Sequence, residues 1–579
     1  MRKYLLTVLL NVCFLVSCIG CQNADEKDVP LIQTIKLSID KACYSPGETI
    51  TFTSDKSLDG DYHIRIRHLS EVVRDQLVSG KTWILTAPSS DYTGYLAEIY
   101  YIKDSIEKVI GTIGVDVSSD WTRFPRYGFI SSFEQLKQEE IFGVIDNLNR
   151  HHINGLQFYD WHFDHHKPLA GTTENPASNW LNISSTTCYR STVNAYISEG
   201  RERNMKSMFY NLCYGALKNA AQDGVKEEWY IYDDTKHTNK VTLTLSYPFK
   251  SNIYLLDPGN EEWMDYMVKQ VADVYAVYDF DGFHIDQVGI HDKFDFNGKS
   301  VDFPEGFLRF INKMKESFPK KYNAFNAVGG FGQSKVAKSK IDFLYNEVWN
   351  ESSQYTDLKT IIDNNANYSE NKLNTVFAAY INYNIAEYPG TFNTPGVLMA
   401  DAVMFALGAS HLELGEHMLG KEYFPNDNLV MDPLLKKSLV SYYDFLVAYE
   451  NILRDGGSFN DVPVSCTDGS SSISQWPPQK GKVISLAKKV GSRQVVHFLN
   501  FTNASHLIWR DMDGTQIEPR LIKSMPVRIE TSQAVKKVWA ATPDSEGSMY
   551  KELEFTTSTG YVSFEIPALK YWTMIVLEY

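Results

Sequence analysis

In the run GFHIDQV, residues 282–288, the large apolar side chains of Phe283 and Ile285 alternate with small or polar residues. Successive side chains of an extended strand point to opposite faces, so Gly282, His284 and Asp286 share one face, and Phe283 and Ile285 share the other. This pattern fits a barrel strand whose first face lines the lumen and whose second face meets outer helices. Asp286 then lies at the carboxyl end of the strand, at the mouth of the barrel.

Seven further short β-rich runs lie between residues 119 and 458 and are separated by longer helical stretches. They are YGFISSF, GLQFYDW, KSMFYNLC, YNAFNAV, DFLYNEVW, NTVFAAY and HLELGE. The clearest helical stretches are FEQLKQEEIFGVIDNLNRHH, EEWMDYMVKQVADVYAVY and FPEGFLRFINKMKESF. Strands that alternate with helices pair in parallel, so the eight runs predict a (β/α)8 barrel over residues 119–458.

The flanking segments show strand-like alternation instead. Residues 31–118 contain IKLSI, YHIRIRHL and LAEIYYI between turn signals, which predicts an immunoglobulin-like β-sandwich. Residues 459–579 contain KVISLAKKV, RQVVHFLNF and GYVSFEIPA, which predicts a second β-sandwich. The predicted fold class is therefore multidomain α/β, a TIM barrel flanked by two β-sandwiches.

The amino-terminal segment has the features of a bacterial export signal. Residues 1–21 begin with a basic head and continue with an apolar run that is too short to span a membrane. The sequence LVSC, residues 15–18, resembles a lipobox and predicts lipidation of Cys18, with Cys21 as a poorer alternative. Residues 22–30 form a polar tether, and display at the outer membrane or cell surface is expected over the periplasmic face. The alternative is a simple cleaved secretory signal.

Composition excludes several classes of partner. The net charge of −15, from 56 basic and 71 acidic residues, argues against nucleic acid and anionic lipid, so contact with a membrane is expected only through the lipid anchor. Cys43, Cys188, Cys213 and Cys466 are widely scattered, which indicates neither a disulfide scaffold nor a zinc knot. We expect a monomer without a cofactor.

Two carboxylates at strand ends are candidates for chemistry. Position and alternation leave Asp286 open to a catalytic or a structural hydrogen-bonding role, whereas Asp281 falls in the turn at the opposite end. Glu347, in DFLYNEVW, ends the sixth run, with Glu351 as a less favoured competitor. Cleavage of a glycosidic bond needs one ionised and one protonated carboxyl group, which this pair can supply.

The densest polar cluster is FYDWHFDHHKPL, residues 158–169, after the second strand. Its histidines are expected in a loop and not on a helix of the kind that carries a zinc motif, so no metal is predicted there. Asp160 is expected to hold sugar hydroxyls and Trp161 to stack on a sugar ring. The alternative is a rigid loop that is locked by its own hydrogen bonds.

Four ordered motifs, NGLQFYDWHFDHHKPL, GFHIDQVG, FLYNEVWN and HLELGEHML, resemble those of glycoside hydrolase family 66, the dextranases and cycloisomaltooligosaccharide glucanotransferases. The resemblance implies a retaining, endo-acting enzyme on α-1,6-linked glucan such as dextran, releasing isomaltooligosaccharides. It implies that Asp286 is the nucleophile and Glu347 the acid/base. The residues expected to bind substrate are Asp160, Trp161, His166, Asn211 and Glu413.

Three functions remain open at this point. The first is hydrolysis, which the resemblance favours over cyclisation: members of the family that make cyclic products carry an inserted carbohydrate-binding module, and no β-rich insertion of that size interrupts the predicted barrel. The second is a transglycosylase or a hydrolase of another α-glucan. The third is a non-catalytic glycan-binding lipoprotein, which has no need for both a nucleophile and an acid.

Overall fold

The computed structural model describes residues 34–544 and 548–579. The predicted export signal, Cys18 and the tether lie outside the described residues. Among the helices that are described, none is both long and apolar enough to cross a membrane. Cys43, Cys188, Cys213 and Cys466 are free thiols.

An antiparallel sheet forms the first part of the described chain. Its strands, within residues 34–118, are Leu37–Ile39, Thr49–His68, Glu71–Thr86, Thr93–Lys103 and Ile106–Val117. The second and third strands form one long hairpin with register shifts, which keeps successive segments in a single sheet. The predicted immunoglobulin-like sandwich of two facing sheets is therefore not confirmed.

Eight parallel strands within residues 119–458 form a nearly closed barrel, as predicted. They are β1 (Tyr127–Ile130), β2 (Gly155–Phe158), β3 (Lys206–Leu212), β4 (Gly282–Asp286), β5 (Tyr322–Val328), β6 (Leu344–Glu347), β7 (Thr375–Ala378) and β8 (Ser410–His411). Each strand pairs with the next in chain order. The gap between β8 and β1 is bridged where the amide of Phe129 donates to the carbonyl of Leu414 at 3.1 Å.

Helices follow the barrel strands along the chain. They are α1 (Gln138–Arg150), α2 (Arg190–Glu202), α3 (Glu261–Val277), α4 (Phe303–Ser317), α5 (Gln333–Val336), α6 (Tyr355–Tyr368), α7 (Thr394–Ala406), α8 (Pro433–Ala448) and α9 (Glu450–Leu453). Side chains that accept a backbone N–H fix several helix starts: Asn260 caps α3, Asp302 caps α4 and Asp432 caps α8. Short 3-10 turns are Trp121–Arg123, Ala220–Asp223, Glu227–Trp229, Asn350–Ser352 and Ile385–Glu387.

The predicted alternation in β4 is confirmed. The ring of His284 lies in the lumen, 4.8 Å from that of Tyr345, whereas Phe283 stacks on Phe209 at 4.5 Å in the layer beneath the helices.

The loops of the barrel contain further short strands: Asn179–Leu181, Thr187–Tyr189, Gly215–Ala216, Thr242–Leu243, Ile253–Leu255, Gly390–Thr391 and Leu429–Val430.

Two further sheets make up the end of the described chain. One contains Ser458–Asn460, Ile473–Gln475, Val483–Val490, Arg493–Asn500, Lys537–Ala541, Lys551–Glu552 and Trp572–Glu578. The other contains Val464–Cys466, Ile522–Glu530, Phe555–Ser558 and Tyr561–Leu569. The sheets share an apolar core that includes Val496, Met525 and Ile575, the arrangement of a β-sandwich.

The first sheet lies directly against α8. The backbone amide of Gly114 donates to Oδ1 of Asp444 at 3.0 Å. A Cβ atom built on Gly94 would lie 2.0 Å from the carbonyl oxygen of Val447. Glycine is required at this contact because any side chain would push the sheet away from the helix.

Candidate active site

Two carboxylates meet at the carboxyl ends of two barrel strands that are separated by one strand. Asp286 ends β4 and Glu347 ends β6, and Asn326 extends from β5 between them. The Nδ2 atom of Asn326 lies 2.9 Å from Oδ1 of Asp286 and 3.1 Å from Oε2 of Glu347. Those two oxygens therefore lie no further apart than the sum of the two distances, 6.0 Å.

Other donors hold each carboxylate in place. Asp286 also accepts from the hydroxyl of Tyr210 at 2.6 Å and from the amide of Gln287 at 2.8 Å. Glu347 accepts from the hydroxyl of Tyr380 at 2.6 Å. The indole of Trp349, like Tyr380 and Asn326, lowers the pKa of Glu347. Hydrogen bonds to a carboxylate stabilise its charged form, so these donors favour the ionised form of both carboxyl groups.

The surroundings shift the acidity of both groups. Burial, and then the charge of Glu347, raise the pKa of Asp286 to about 7, while the bonds from Tyr210, Gln287 and Asn326 lower it. Burial also raises the pKa of Glu347, against the bonds from Tyr380 and Asn326. Protonation of Glu347 removes its repulsion of Asp286, so the pair titrates as a unit. At intermediate pH the pair holds one proton.

The pair lines an open cleft of about 770 Å³ at the mouth of the barrel. Its other lining residues include the aromatic side chains of Tyr159, Phe331, Trp349 and Phe424. Tyr159 and Phe424 stack face to face, with ring centroids 4.3 Å apart. Aromatic faces beside carboxylates are the surfaces on which sugar rings bind, so the cleft has both the size and the chemistry of a carbohydrate site.

A loop of the carboxyl-terminal part of the chain supports the Glu347 side of the cleft. The guanidinium of Arg510 lies over the rings of Trp349 and Tyr383, at 5.7 and 5.1 Å from their centroids. It also donates to the side-chain oxygen of Asn350, and its backbone carbonyl accepts from the amide of Asn382 at 2.9 Å. Arg510, in the carboxyl-terminal part of the chain, therefore contacts both the loop that follows β6 and the loop that follows β7.

Asp160 feels the charge of Asp286. It follows β2 in a left-handed backbone conformation, with φ of 48°, and is 7 % exposed. Burial, and then the charge of Asp286, raise its pKa to about 7. Asp160 is not among the described residues that line the cleft, so its role in holding sugar hydroxyls stays a prediction.

The expected stacking of Trp161 on a sugar ring is corrected by the structure. Its side chain is 0 % exposed and packs edge to face against Phe280 and Tyr278, with centroids 4.9 and 5.0 Å away. The left-handed Asp160 interrupts the strand alternation, so that Trp161 enters the outer layer instead of the lumen. No face of the indole is available to a ligand.

His166, Asn211 and Glu413 are also buried and do not contact the cleft, contrary to expectation. His166 bonds to Asp223 at 3.1 Å, and Asn211 exchanges hydrogen bonds with His165 at 2.8 Å. Hydrogen bonds within the loop after β2, such as that between His162 and His165, add to these contacts and favour the alternative interpretation for His166. Glu413 accepts from the hydroxyl of Tyr443 at 3.0 Å, behind β8.

Other carboxylates lie at the base of the barrel or around the cleft. The Oδ2 atom of Asp281 accepts from the amide of Ser207 at 2.9 Å, as a turn residue at the base of the barrel. Glu351 lies exposed in the short 3-10 turn beyond β6, and it lines the cleft together with Glu422. Asn346 faces the outer layer, where Asn365 donates to it at 2.7 Å, which resolves how a polar group is accommodated there.

Sequence reasoning missed Tyr210, Asn326 and Tyr380. Each occupies a lumen-facing position at the carboxyl end of its run, in KSMFYNLC, YNAFNAV and NTVFAAY. The alternation that selected Asp286 selects them as well, once it is extended to strands without a carboxylate. Their contacts with the pair depend on the order of strands around the barrel.

The chain is similar to known proteins of one glycosidase family. The family model for glycosyl hydrolase family 66 matches residues 39–576. A cycloisomaltooligosaccharide glucanotransferase of Niallia circulans is 27% identical over 750 residues, covering 100% of this chain and 75% of the relative. A dextranase of Streptococcus salivarius is 24% identical over 606 residues, covering 89% of this chain and 72% of the relative.

A solved structure is similar over nearly its whole length. It is a Paenibacillus sp. cycloisomaltooligosaccharide glucanotransferase in complex with cycloisomaltoheptaose, with a TM-score of 0.86 and 26% identity. The match covers 95% of this chain and 99% of that chain. The similarity therefore extends beyond the barrel to the flanking β-domains.

Proposed function

The chain belongs to glycosyl hydrolase family 66, and we propose that it is an endo-dextranase, a retaining hydrolase of α-1,6-glucosidic linkages that releases isomaltooligosaccharides. The observation that carries the proposal is the shared nitrogen of Asn326, which keeps the facing oxygens of Asp286 and Glu347 within 6.0 Å. Retaining glycosidases have carboxyl groups about 5–5.5 Å apart, whereas inverting enzymes need roughly 6.5–9.5 Å to admit a water molecule.

The first chemical step uses both carboxyl groups. An oxygen of ionised Asp286 forms a bond to the anomeric carbon while the glycosidic C–O bond breaks. The departing oxygen takes the proton of Glu347 and leaves as a sugar hydroxyl. Tyr210, Gln287 and Asn326 orient Asp286 for the attack, because each donates to one of its oxygens.

In the second step Glu347 acts as a base and Asp286 as the leaving group. Ionised Glu347 takes a proton from a water molecule, whose oxygen attacks the anomeric carbon, and Asp286 leaves with its electron pair. Two displacements restore the α-configuration. The hydroxyl of Tyr380 and the amide of Asn326 hold Glu347 through the change in its charge.

The substrate class is supported by the names of the relatives, which include a dextranase and glucanotransferases that make cyclic isomaltooligosaccharides. Transfer to a sugar hydroxyl in place of water is the second candidate, favoured by the glucanotransferase matches. Hydrolysis is preferred because the barrel loops, within the part of the chain that the structure describes, carry short strands of two or three residues and no inserted domain. A purely glycan-binding role has no use for the paired carboxylates.

One experiment tests these functions together. The protein without residues 1–21 is incubated with dextran, pullulan and starch, with and without added isomaltose, and the products are sized. Release of linear isomaltooligosaccharides from dextran alone is expected. Cyclic or acceptor-extended products would favour transfer, and the same output from Asp286→Asn would show a contaminating activity.

We further propose that the protein is anchored through lipid on Cys18, on the basis of the LVSC motif, and displayed at the cell surface. Incorporation of a radiolabelled fatty acid is expected to vanish in Cys18→Ala and to persist in Cys21→Ala. The reverse result would contradict the assignment. Protease added to intact cells tests the membrane face.

A further inference from the structure

Three side chains of metal-ligand type meet in the wall behind β8. They are Asp401 of α7, His411 of β8 and Glu413, which follows β8, and each is fully or almost fully buried. Their ligand atoms lie within 4.8 Å of one another. The Nδ1 atom of His411 is 2.9 Å from Oδ1 of Asp401 and 3.4 Å from Oε2 of Glu413.

The hydrogen bond of Nε2 determines whether Nδ1 of His411 can donate or accept. Its Nε2 atom lies 2.7 Å from the carbonyl oxygen of Ala379, and a carbonyl only accepts, so Nε2 carries a hydrogen. In a neutral ring, Nδ1 then presents a lone pair to two carboxylate oxygens. That contact is repulsive unless a cation lies between them. The cation is either a proton, held by Nδ1 or by one of the carboxyl oxygens, or a metal ion.

A proton leaves the group incompletely satisfied. Directed at Asp401 Oδ1, it leaves Oδ2 of Asp401 and Oε2 of Glu413 buried and without a hydrogen-bond partner. It also leaves two carboxylates with one imidazolium, a net negative charge in a site without solvent. Uncompensated buried charge is costly. One divalent cation neutralises both carboxylates and uses the Nδ1 lone pair of a neutral histidine.

We propose that Asp401, His411 and Glu413 bind a divalent transition-metal ion, with Zn²⁺ as the best fit. A tetrahedral ion with ligand bonds of about 2.0–2.1 Å keeps its ligands roughly 3.3 Å apart, close to the spacing around His411. One imidazole and two carboxylates are ligands that zinc accepts.

Neighbouring groups hold these three side chains by hydrogen bonds, as groups around the ligands of known metal sites do. The carbonyl of Ala379 fixes the tautomer of His411, and the hydroxyl of Tyr443 in α8 donates to Oε1 of Glu413 at 3.0 Å. The ion would join α7 to β8 and, through Tyr443, to α8. It lies outside the residues that line the cleft, so its role is to hold the last strand of the barrel in place.

Metal content is measured on the purified, untagged full chain by elemental analysis. About one zinc per chain is expected. After chelation, the melting temperature is expected to fall by several degrees and to recover with added Zn²⁺. Reconstitution with Co²⁺ is expected to give the visible absorption of a tetrahedral cobalt site. Asp401→Asn and Glu413→Gln are expected to lose this absorption.

A matched control is His497→Gln, which alters another fully buried histidine, bonded to the indole of Trp572, and is expected to keep the metal. Should the ligand variants fail to fold, the chelation and reconstitution of the unaltered protein decide the matter. The proposal is overturned if the folded protein contains no divalent metal and its melting temperature changes neither with chelator nor with added Zn²⁺. Nitrogen NMR showing hydrogen on both ring nitrogens of His411 would likewise overturn it.

Discussion

Asp286 and Glu347 accept hydrogen bonds from the same atom, Nδ2 of Asn326, at 2.9 and 3.1 Å. One amide on β5 therefore sets the distance between carboxylates on β4 and β6. The two accepting oxygens lie within 6.0 Å of each other, closer to the about 5–5.5 Å of a retaining site than to the roughly 6.5–9.5 Å of an inverting site, which agrees with the proposed double displacement. This proximity also couples the two titrations, because each charge is felt by the other.

Asp286→Asn is expected to reduce turnover of dextran by at least about 10³-fold, because an amide cannot form the glycosyl ester. Melting temperature and circular dichroism should remain close to those of the unaltered protein. Asp281→Asn serves as a control at the opposite end of the same strand, where the carboxylate has only a structural bond. Retained turnover in Asp286→Asn would contradict the assignment.

Glu347→Gln is expected to be severe on dextran but mild in the first step with a substrate whose leaving group needs no proton. Glu347→Ala should form an α-glycosyl azide when azide is added, since azide replaces water without a general base. Asp286→Ala should give no α-azide. The opposite pattern would reverse the two roles.

Tyr210→Phe and Tyr380→Phe form a matched pair that separates the two limbs of the pH profile. The bond from Tyr210 lowers the pKa of Asp286, so its loss raises that pKa and moves the acidic limb of kcat/KM to higher pH. The bond from Tyr380 lowers the pKa of Glu347, so its loss moves the basic limb to higher pH. Shifts of about one pH unit are expected. Equal effects on the same limb would contradict separate roles.

Asn326→Ala is expected to move both limbs to higher pH, because the amide lowers the pKa of Asp286 and of Glu347. It should also reduce kcat more than it raises KM, since the two carboxylates lose their fixed separation. Asn323→Ala, at the other end of β5, is the control for loss of stability. A change in KM alone would show that Asn326 only binds substrate.

Gly94→Ala tests the contact between the first sheet and α8. A methyl group there would lie 2.0 Å from the backbone oxygen of Val447, and the forced displacement should cost about 1–3 kcal/mol. Gly143→Ala in α1 is the matched control, because no atom lies within 4 Å of the added methyl group. The control should gain about 0.5–1 kcal/mol from helix propensity. Equal melting temperatures for the two variants would contradict the docking.

The barrel and its two carboxylates were predictable because both follow from local pattern. Alternation within GFHIDQV and FLYNEVW places Asp286 and Glu347 at the strand ends, and neither inference needs to know which strands are neighbours. The role of Asn326 was not predictable in this way. An asparagine near the end of a strand acquires its meaning only from the carboxylates on either side.

The loop after β2 shows where local pattern fails. Alternation applies while the backbone is extended, and Asp160 leaves that conformation with φ of 48°. Trp161 therefore turns into the core, against the expectation for an aromatic residue beside a binding site. The architecture of the first sheet was missed for another reason. The strand Thr49–His68 is long and pairs with a different strand on each side. Local sequence does not distinguish one such long strand from two shorter strands in separate sheets.

The most direct test of the central claim is to trap the covalent intermediate. The protein is treated with a fluorinated α-isomaltosyl fluoride, which forms the glycosyl ester faster than it hydrolyses, and is then digested and analysed by mass spectrometry. The added mass is expected on the peptide that contains Asp286, at that residue, and to be absent from Asp286→Asn. A label on Glu347, or β-configured first products from dextran without any adduct, would contradict the account.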